Sequence, residues 1–168
     1  MDNYYKNAKD YRIHNEEVRQ VWEAFENGNP VRMPMVLGLS SRFFMFNEAV
    51  NPAHITYEEY SENPDIMLKI QVAADYYRRM CIPADYEMGM PEDGWTVYVD
   101  FQNYYEAAWL GSPVRYINEN VPASEPFLSD VNKKSIFSRG IPDAFSGIMG
   151  KCRDYYEYFL KKADTCQY

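Results

Sequence analysis

Hydrophobic residues near the start of the chain recur at the spacing of a helix. The repeat consists of Val18, Val21, Trp22 and Phe25. These positions share one face at helical periodicity, and Gly28 and Pro30 follow where a helix would end. The pattern predicts an amphipathic first helix, preceded by a polar segment, residues 1–14, that has no clear period.

Two short runs further along the chain predict buried strands. Met33 to Leu39 is almost wholly apolar, and Trp95 to Phe101 is rich in β-branched and aromatic residues. Asp100 is the one charged residue in either run. A carboxylate beside apolar strand residues is partly desolvated, so it needs hydrogen bonds, a charged partner or a functional role.

Predicted helices separate and follow these two runs. Asn63 can cap a helix that has Pro64 at its first position and ends near Met80. The later predicted elements are a helix from Tyr104 to Leu110, an edge strand from Val114 to Asn118, a helix from Asp130 through Phe137 and a helix from Ser146 to about Ala163. Helices that alternate with apolar, two-sided strands predict an α/β fold with a parallel sheet.

Charge and composition argue against nucleic-acid binding, membrane association and a metal site within the chain. The formal net charge of -8 opposes binding to nucleic acid or to an anionic membrane. No long apolar run predicts a membrane span, and the start lacks a secretory pattern, so we expect a cytoplasmic protein. Cys81, Cys152 and Cys166 form no C-x-x-C pair and have no histidine at ligand spacing, which predicts reduced thiols and no metal site within this chain.

Three stretches, in order, resemble motifs of the uroporphyrinogen decarboxylase-like family, which includes corrinoid-dependent methyltransferases. Residues 28–36, Gly-Asn-Pro-Val-Arg-Met-Pro-Met-Val, are similar to the family's G-x-x-P-D-R-V-P-V segment at its first barrel strand. Residues 64–68 resemble its P-E-L-M helix start. Asp100 with residues 105–111, Tyr-Glu-Ala-Ala-Trp-Leu-Gly, resembles its D, E-A and L-G segment. Together these motifs cover most of residues 15 to 115.

The resemblance implies a (β/α)8 barrel, of which this chain holds the N-terminal half. Such barrels take about 250 residues, whereas this chain has 168 residues and only two clear strands. A half barrel leaves strand edges unpaired. We therefore expect residues 1–168 to form a single partial TIM-barrel domain that is truncated or split, or that is completed by a second chain or by its own copy.

Three residues are candidates for a site. Asp100 ends the second predicted strand, and the resemblance implies that it is catalytic and contacts the pyrrole nitrogens of a tetrapyrrole; the alternative is that it caps the following helix. Arg42 lies where the decarboxylases carry substrate-binding arginines in R-Q-A-G-R, although only one arginine is present here. Glu106 matches a carboxylate of the methyltransferases, whereas a carboxylate at this place is not a defining feature of the decarboxylases. Its alternative role is a surface helix residue.

The resemblance implies two activities. Tetrapyrrole decarboxylation would take no cofactor, and Asp100 would stabilise a protonated pyrrole intermediate. Methyl transfer would take zinc and a corrinoid protein, with the zinc ligands supplied by another chain, because the His-x-Cys element of the methyltransferases is absent from this sequence. The single arginine favours the methyltransferase-like or an uncharacterised branch. The expected partner is a small-molecule tetrapyrrole or methylated substrate; the alternative is a non-catalytic interaction module or an inactive truncated homologue.

Overall fold

A computed structural model of the chain describes residues 11–117 and 119–165, which are mostly helical. Its helices are α1 (Arg12–Glu26), α2 (Ser41–Met45), α3 (Tyr57–Glu62), α4 (Pro64–Cys81), α5 (Tyr105–Trp109), α6 (Ser135–Arg139) and α7 (Ile148–Thr165). Two strands, β1 (Val114–Arg115) and β2 (Ala123–Ser124), form an antiparallel pair in which Val114 is opposite Ser124. Helix packing therefore organises the described part of the chain.

The predicted long helices are confirmed, and the local sequence explains where they begin. α1 buries Val18 and Val21 of the predicted apolar face. At the start of α4, the Asn63 side chain accepts a hydrogen bond from the amide of Asp65 at 3.0 Å. Pro64 occupies the first helical position, where its missing amide costs no hydrogen bond. α5 and α7 also lie close to their predicted ranges.

One hydrophobic core joins α3, α4, α5 and α7. Among its most deeply buried side chains are Met67 of α4 and Phe101, which directly follows Asp100. Tyr155 of α7 packs on Phe101 with ring centroids 5.2 Å apart, and its hydroxyl donates to the carbonyl of Ser61 at 2.9 Å. α7 is thereby fixed against α3 and against the segment that carries Asp100.

The predicted fold class is wrong. We expected the N-terminal half of a (β/α)8 TIM barrel with parallel strands, but the sheet within the described residues is the short antiparallel pair of β1 and β2. Met33 to Leu39 and Trp95 to Phe101, the two predicted core strands, have no regular secondary structure. Neither run contributes to a parallel sheet.

Side chains take up the backbone hydrogen bonds that a sheet would have made. The Gln71 side-chain amide donates to the carbonyl of Tyr98 at 2.7 Å and accepts from its amide at 3.0 Å. Asp85 also binds both backbone groups of Met35: its carboxylate accepts from the Met35 amide at 2.6 Å, and its backbone amide donates to the Met35 carbonyl at 2.7 Å. These bonds satisfy backbone groups that a neighbouring strand would otherwise pair with.

The shorter predicted elements differ more from the structure. The predicted edge strand is confirmed only over Val114–Arg115, and its last residue, Asn118, lies outside the described residues. α6 begins at Ser135 rather than at Asp130, with turns over residues 130–134. α2 and α3 were not predicted.

The predicted polar segment, residues 1–14, lies only partly within the described residues. Residues 1–10 lie outside the described residues, and residues 12–14 belong to α1. Across the described ranges, no helix combines the length and the apolar character that crossing a bilayer requires.

Candidate functional site

A cleft of about 340 Å³ lies between α4 and the segment that ends at Asp100; we refer to it as the Asp100 cleft. Its polar lining comprises Ser41, Tyr60, Gln71, Asp75, Arg78, Thr96, Tyr98 and Asp100, and its apolar lining comprises Leu39, Phe44, Met45, Ile70 and Ala74. This size is near the lower end for small-molecule sites, which usually combine apolar walls with a few polar groups. The Asp100 cleft is therefore the candidate site.

Neutral donors hold the carboxylate of Asp100. Its Oδ2 accepts from the Tyr60 hydroxyl at 3.0 Å and from the Gln102 side-chain amide at 2.7 Å. Its Oδ1 accepts from the Gln102 backbone amide at 3.0 Å. Each carboxylate oxygen has two lone pairs, so Oδ1 keeps one acceptor position for a ligand. None of the ion pairs within the described residues includes this carboxylate, and Arg78, the arginine of the cleft, pairs with Asp75 instead.

Gln102 fixes the plane of that carboxylate. Its backbone is left-handed, with φ at 57°, a conformation that is uncommon and strained outside glycine. The Gln102 side-chain oxygen also accepts from the Ser41 hydroxyl at 3.1 Å. The bond from its backbone amide to Asp100 closes a local Asx turn. The alternative prediction that Asp100 caps the next helix is wrong, because α5 follows Tyr104 without a side-chain cap.

Tyr60 of α3 and Gln71 of α4 extend this hydrogen-bond network into the core. Burial raises the pKa of the Tyr60 hydroxyl well above its usual value, and the nearby Asp100 charge raises it further. The hydroxyl therefore stays protonated at neutral pH and donates to Asp100. It accepts in turn from Gln71 at 3.2 Å. Two helices and a local turn thus hold Asp100 in one orientation.

Arg78 lines the Asp100 cleft as one half of an ion pair with Asp75, which lines it too. Its Nε and Nη2 atoms donate to Oδ1 of Asp75 at 3.0 Å and 2.8 Å. Its guanidinium carbon lies 4.8 Å from the centre of the Tyr86 ring, which restrains the side chain further. A guanidinium has more N–H donors than this ion pair uses, so Arg78 is placed to bind a ligand carboxylate.

The other two predicted site residues lie outside the cleft lining. Arg42 is exposed on α2, although the adjacent Ser41 lines the cleft. Glu106 is exposed on α5. Of the three candidates, only Asp100 lines the cleft, and Arg78 is the arginine found there.

Helical spacing could have revealed part of this site from the sequence. The residues Gln71, Ala74, Asp75 and Arg78 recur at positions i, i+3, i+4 and i+7 of α4, and all line the cleft. The prediction of this helix rested on Asn63 and Pro64 at its start and did not consider this polar face. Tyr60 and Gln102 gave no comparable signal, because their contact with Asp100 depends on tertiary packing and on a left-handed turn.

The described residues contain no group of three or more His, Cys, Asp or Glu side chains arranged to hold a metal ion. Cys81 and Cys152 are free thiols, and Cys166 lies outside the described residues. Zinc bound through another chain, which the methyltransferase resemblance implied, stays a prediction.

No protein-family model, curated protein or solved structure matches the chain. The resemblance of its motifs to the uroporphyrinogen decarboxylase-like family therefore stays a prediction from the residues alone.

Proposed function

We propose that the chain takes part in tetrapyrrole decarboxylation and binds a porphyrinogen in the Asp100 cleft. The observation that carries this proposal is a carboxylate with a remaining acceptor position and no ion pair within the described residues, set beside apolar and aromatic walls. A porphyrinogen is a flexible macrocycle whose four pyrrole N–H groups can turn to one face, where one of them can donate to the remaining acceptor position on Oδ1 of Asp100 and the others lie close to its charge. The cleft has room for part of such a ring, and the rest would extend into solvent.

The proposed reaction converts an acetate side chain of the tetrapyrrole into a methyl group. Protonation of the pyrrole ring makes a cation, the bond between the methylene and the carboxylate carbon breaks, and its electron pair enters the ring as CO2 leaves. A proton then adds to the methylene and the ring proton is released. Asp100 would stabilise the cation by charge and hydrogen bonding, and Arg78 would bind another carboxylate of the ligand.

Corrinoid-linked methyl transfer is the second activity that the motifs imply. The ring nitrogens of a corrinoid are bound to cobalt and carry no N–H group to donate to Asp100. The acceptor position on Asp100 therefore favours a porphyrinogen as the ligand. The free thiols of Cys81 and Cys152 suit a reducing compartment, so we also propose a cytoplasmic location.

Titration with uroporphyrinogen under anaerobic conditions, followed by tryptophan fluorescence, tests the proposal. We expect saturable binding by the native chain and at least about tenfold weaker binding by Asp100→Asn, because the amide removes the charge and one acceptor oxygen. Asp93→Asn makes the same change on an exposed residue outside the cleft and should bind like the native chain. Uroporphyrin is flat, with its N–H groups inside the ring plane, and should bind more weakly than uroporphyrinogen.

The variant Gln102→Gly tests whether ligand binding can weaken while the chain stays as stable as the native chain. Glycine adopts the left-handed conformation freely, so the turn after Asp100 should persist and the unfolding midpoint should stay close to that of the native chain. The side-chain bonds from Gln102 to Asp100 and Ser41 are lost, and uroporphyrinogen should bind more weakly. The proposal is overturned if the native chain does not bind uroporphyrinogen, or if Asp100→Asn binds it equally well.

A further inference from the structure

A second surface, outside the Asp100 cleft, is apolar and exposed. The exposed fractions of its side chains are 81% for Val31, 65% for Met33, 67% for Met35, 56% for Val36 and 46% for Leu37. Single exposed apolar residues are normal on proteins, but a contiguous group of large ones marks an interaction site. Residues 31–37 are termed the apolar edge below.

The apolar edge borders a groove of about 370 Å³ alongside α1, which Val36 helps to line. Val18 and Trp22 of α1 add apolar surface to the groove. Its lining also includes three exposed carboxylates, which belong to Glu23, Glu26 and Glu87. The cation in the lining, Arg19, is bonded to Glu16 at 2.8 Å. The groove is therefore both apolar and negatively charged.

Backbone groups are also open on the apolar edge. Asp85 binds both backbone groups of Met35. Within the described ranges, nothing pairs with the amides or carbonyls of the next two residues, Val36 and Leu37. A partner segment laid along these two residues can use their backbone groups in the way that an added strand does.

We propose that the apolar edge and its groove dock a segment of another protein in which apolar and basic side chains alternate. Its lysine or arginine side chains would pair with the three carboxylates, and its apolar side chains would cover Val36 and Leu37. Charge argues against a second copy as the occupant, because each chain carries -8 and would bring further carboxylates to this surface. This proposal does not depend on the Asp100 cleft.

Three labelled octapeptides test the docking surface by fluorescence anisotropy at physiological salt, where weak long-range attraction is screened. One alternates lysine with valine, the second lysine with serine, and the third glutamate with valine. We expect the lysine–valine peptide to bind at least about tenfold more tightly than either of the others. Its charge equals that of the lysine–serine peptide, and its apolar surface equals that of the glutamate–valine peptide.

A variant that combines Val36→Ser with Leu37→Ser keeps the charge of the chain and should lose affinity for the lysine–valine peptide. Its unfolding midpoint should change little, because both side chains are exposed. Phe137→Ser removes a similarly exposed apolar side chain on α6 and should bind like the native chain. Equal binding of the lysine–valine and lysine–serine peptides, no binding of either, or a native dimer that the double variant abolishes would overturn the proposal.

Discussion

Asp85 is a single residue that connects three separate parts of the molecule. Its carboxylate accepts from the two guanidinium nitrogens of Arg32 at 2.5 Å and 2.6 Å and from the amide of Met35 at 2.6 Å. Its carbonyl accepts from the indole of Trp22 on α1 at 2.8 Å. Arg32, followed by the Met35 amide, lowers the pKa of the Asp85 carboxyl from 3.8 to about 2. The apolar edge is thereby tied to α1.

We expect this residue to make stability depend on pH in the acid range. The pKa of Asp85 is lower in the folded chain than in the unfolded chain, so the ionised carboxylate stabilises the fold above about pH 4. That contribution is lost as the pH falls towards about 2. Asp85→Asn should lower the free energy of unfolding at neutral pH and flatten its decline in this window.

Urea unfolding at a series of pH values measures the effect. Asp93→Asn, on an exposed residue of the same loop region, is the matched control and should keep the native pH dependence. If Asp85→Asn lost stability with the same slope as the native chain, the ion pair with Arg32 would not be the source of the pH dependence.

The roles of single residues differ in how far the sequence predicts them. A charge at the end of an apolar run is visible in the sequence, and Asp100 does line the cleft. Gln102 reaches Asp100 through a left-handed turn, which no local pattern predicts for a glutamine. The arginine of the cleft is Arg78 rather than Arg42, because packing decides which helix face borders the cleft.

Among the elements, α4 makes the hydrogen bonds to the backbone of Tyr98 that a neighbouring strand would otherwise make. Gln71→Leu keeps a good helix former but removes the partners of the Tyr98 amide and carbonyl, together with the donor to the Tyr60 hydroxyl. We expect the free energy of unfolding to fall by roughly 1–2 kcal/mol, together with faster hydrogen exchange at the Tyr98 amide.

The control for this substitution is Gln20→Leu on α1. Gln20 is exposed and its side chain donates to Glu16 at 3.0 Å, with no bond to another segment. The substitution Gln20→Leu should change the free energy of unfolding by less than about 0.5 kcal/mol. Equal losses in the two variants would contradict a special role for the pairing between Gln71 and Tyr98.

Helices with clear end signals were predictable, and one further signal was present but unused. Asn63 and Pro64 mark the start of α4 in the sequence and in the structure. Thr56 and Glu59 form a reciprocal capping box at the start of α3, a pattern that is also readable from the sequence. The two apolar runs were misassigned because a β-favouring sequence specifies a local preference and leaves open what will pair with its backbone.

For the molecule as a whole, stability depends on the core around Phe101. This side chain is completely buried and packs against Tyr155 of α7, whereas Phe137 on α6 is 83% exposed. Phe101→Ala should therefore cost roughly 3–5 kcal/mol of the free energy of unfolding, and Phe137→Ala less than about 0.5 kcal/mol. Urea denaturation of the two variants makes the comparison, and similar losses would mean that Phe101 is not central to the core.

The predicted fold class required the two apolar runs to pair with each other, and the sequence does not determine that pairing. Alternating helices and apolar runs indicate a parallel sheet only if the runs pair with one another. In the structure, Tyr98 pairs instead with the side chain of Gln71, and Met35 pairs with the carboxylate and the backbone amide of Asp85. The helical part of the prediction therefore holds, and the sheet does not.

Backbone bonds made by side chains also affect how the molecule opens. In a ladder, each bond aligns the next, so neighbouring bonds form and break together. Here Gln71 holds Tyr98, Asp85 holds Met35, and Asn15 of α1 pairs with both backbone groups of Met88 at 3.0 Å and 2.8 Å. Loss of one such contact releases one residue and leaves the others bound. Local opening of these segments should therefore be additive rather than cooperative.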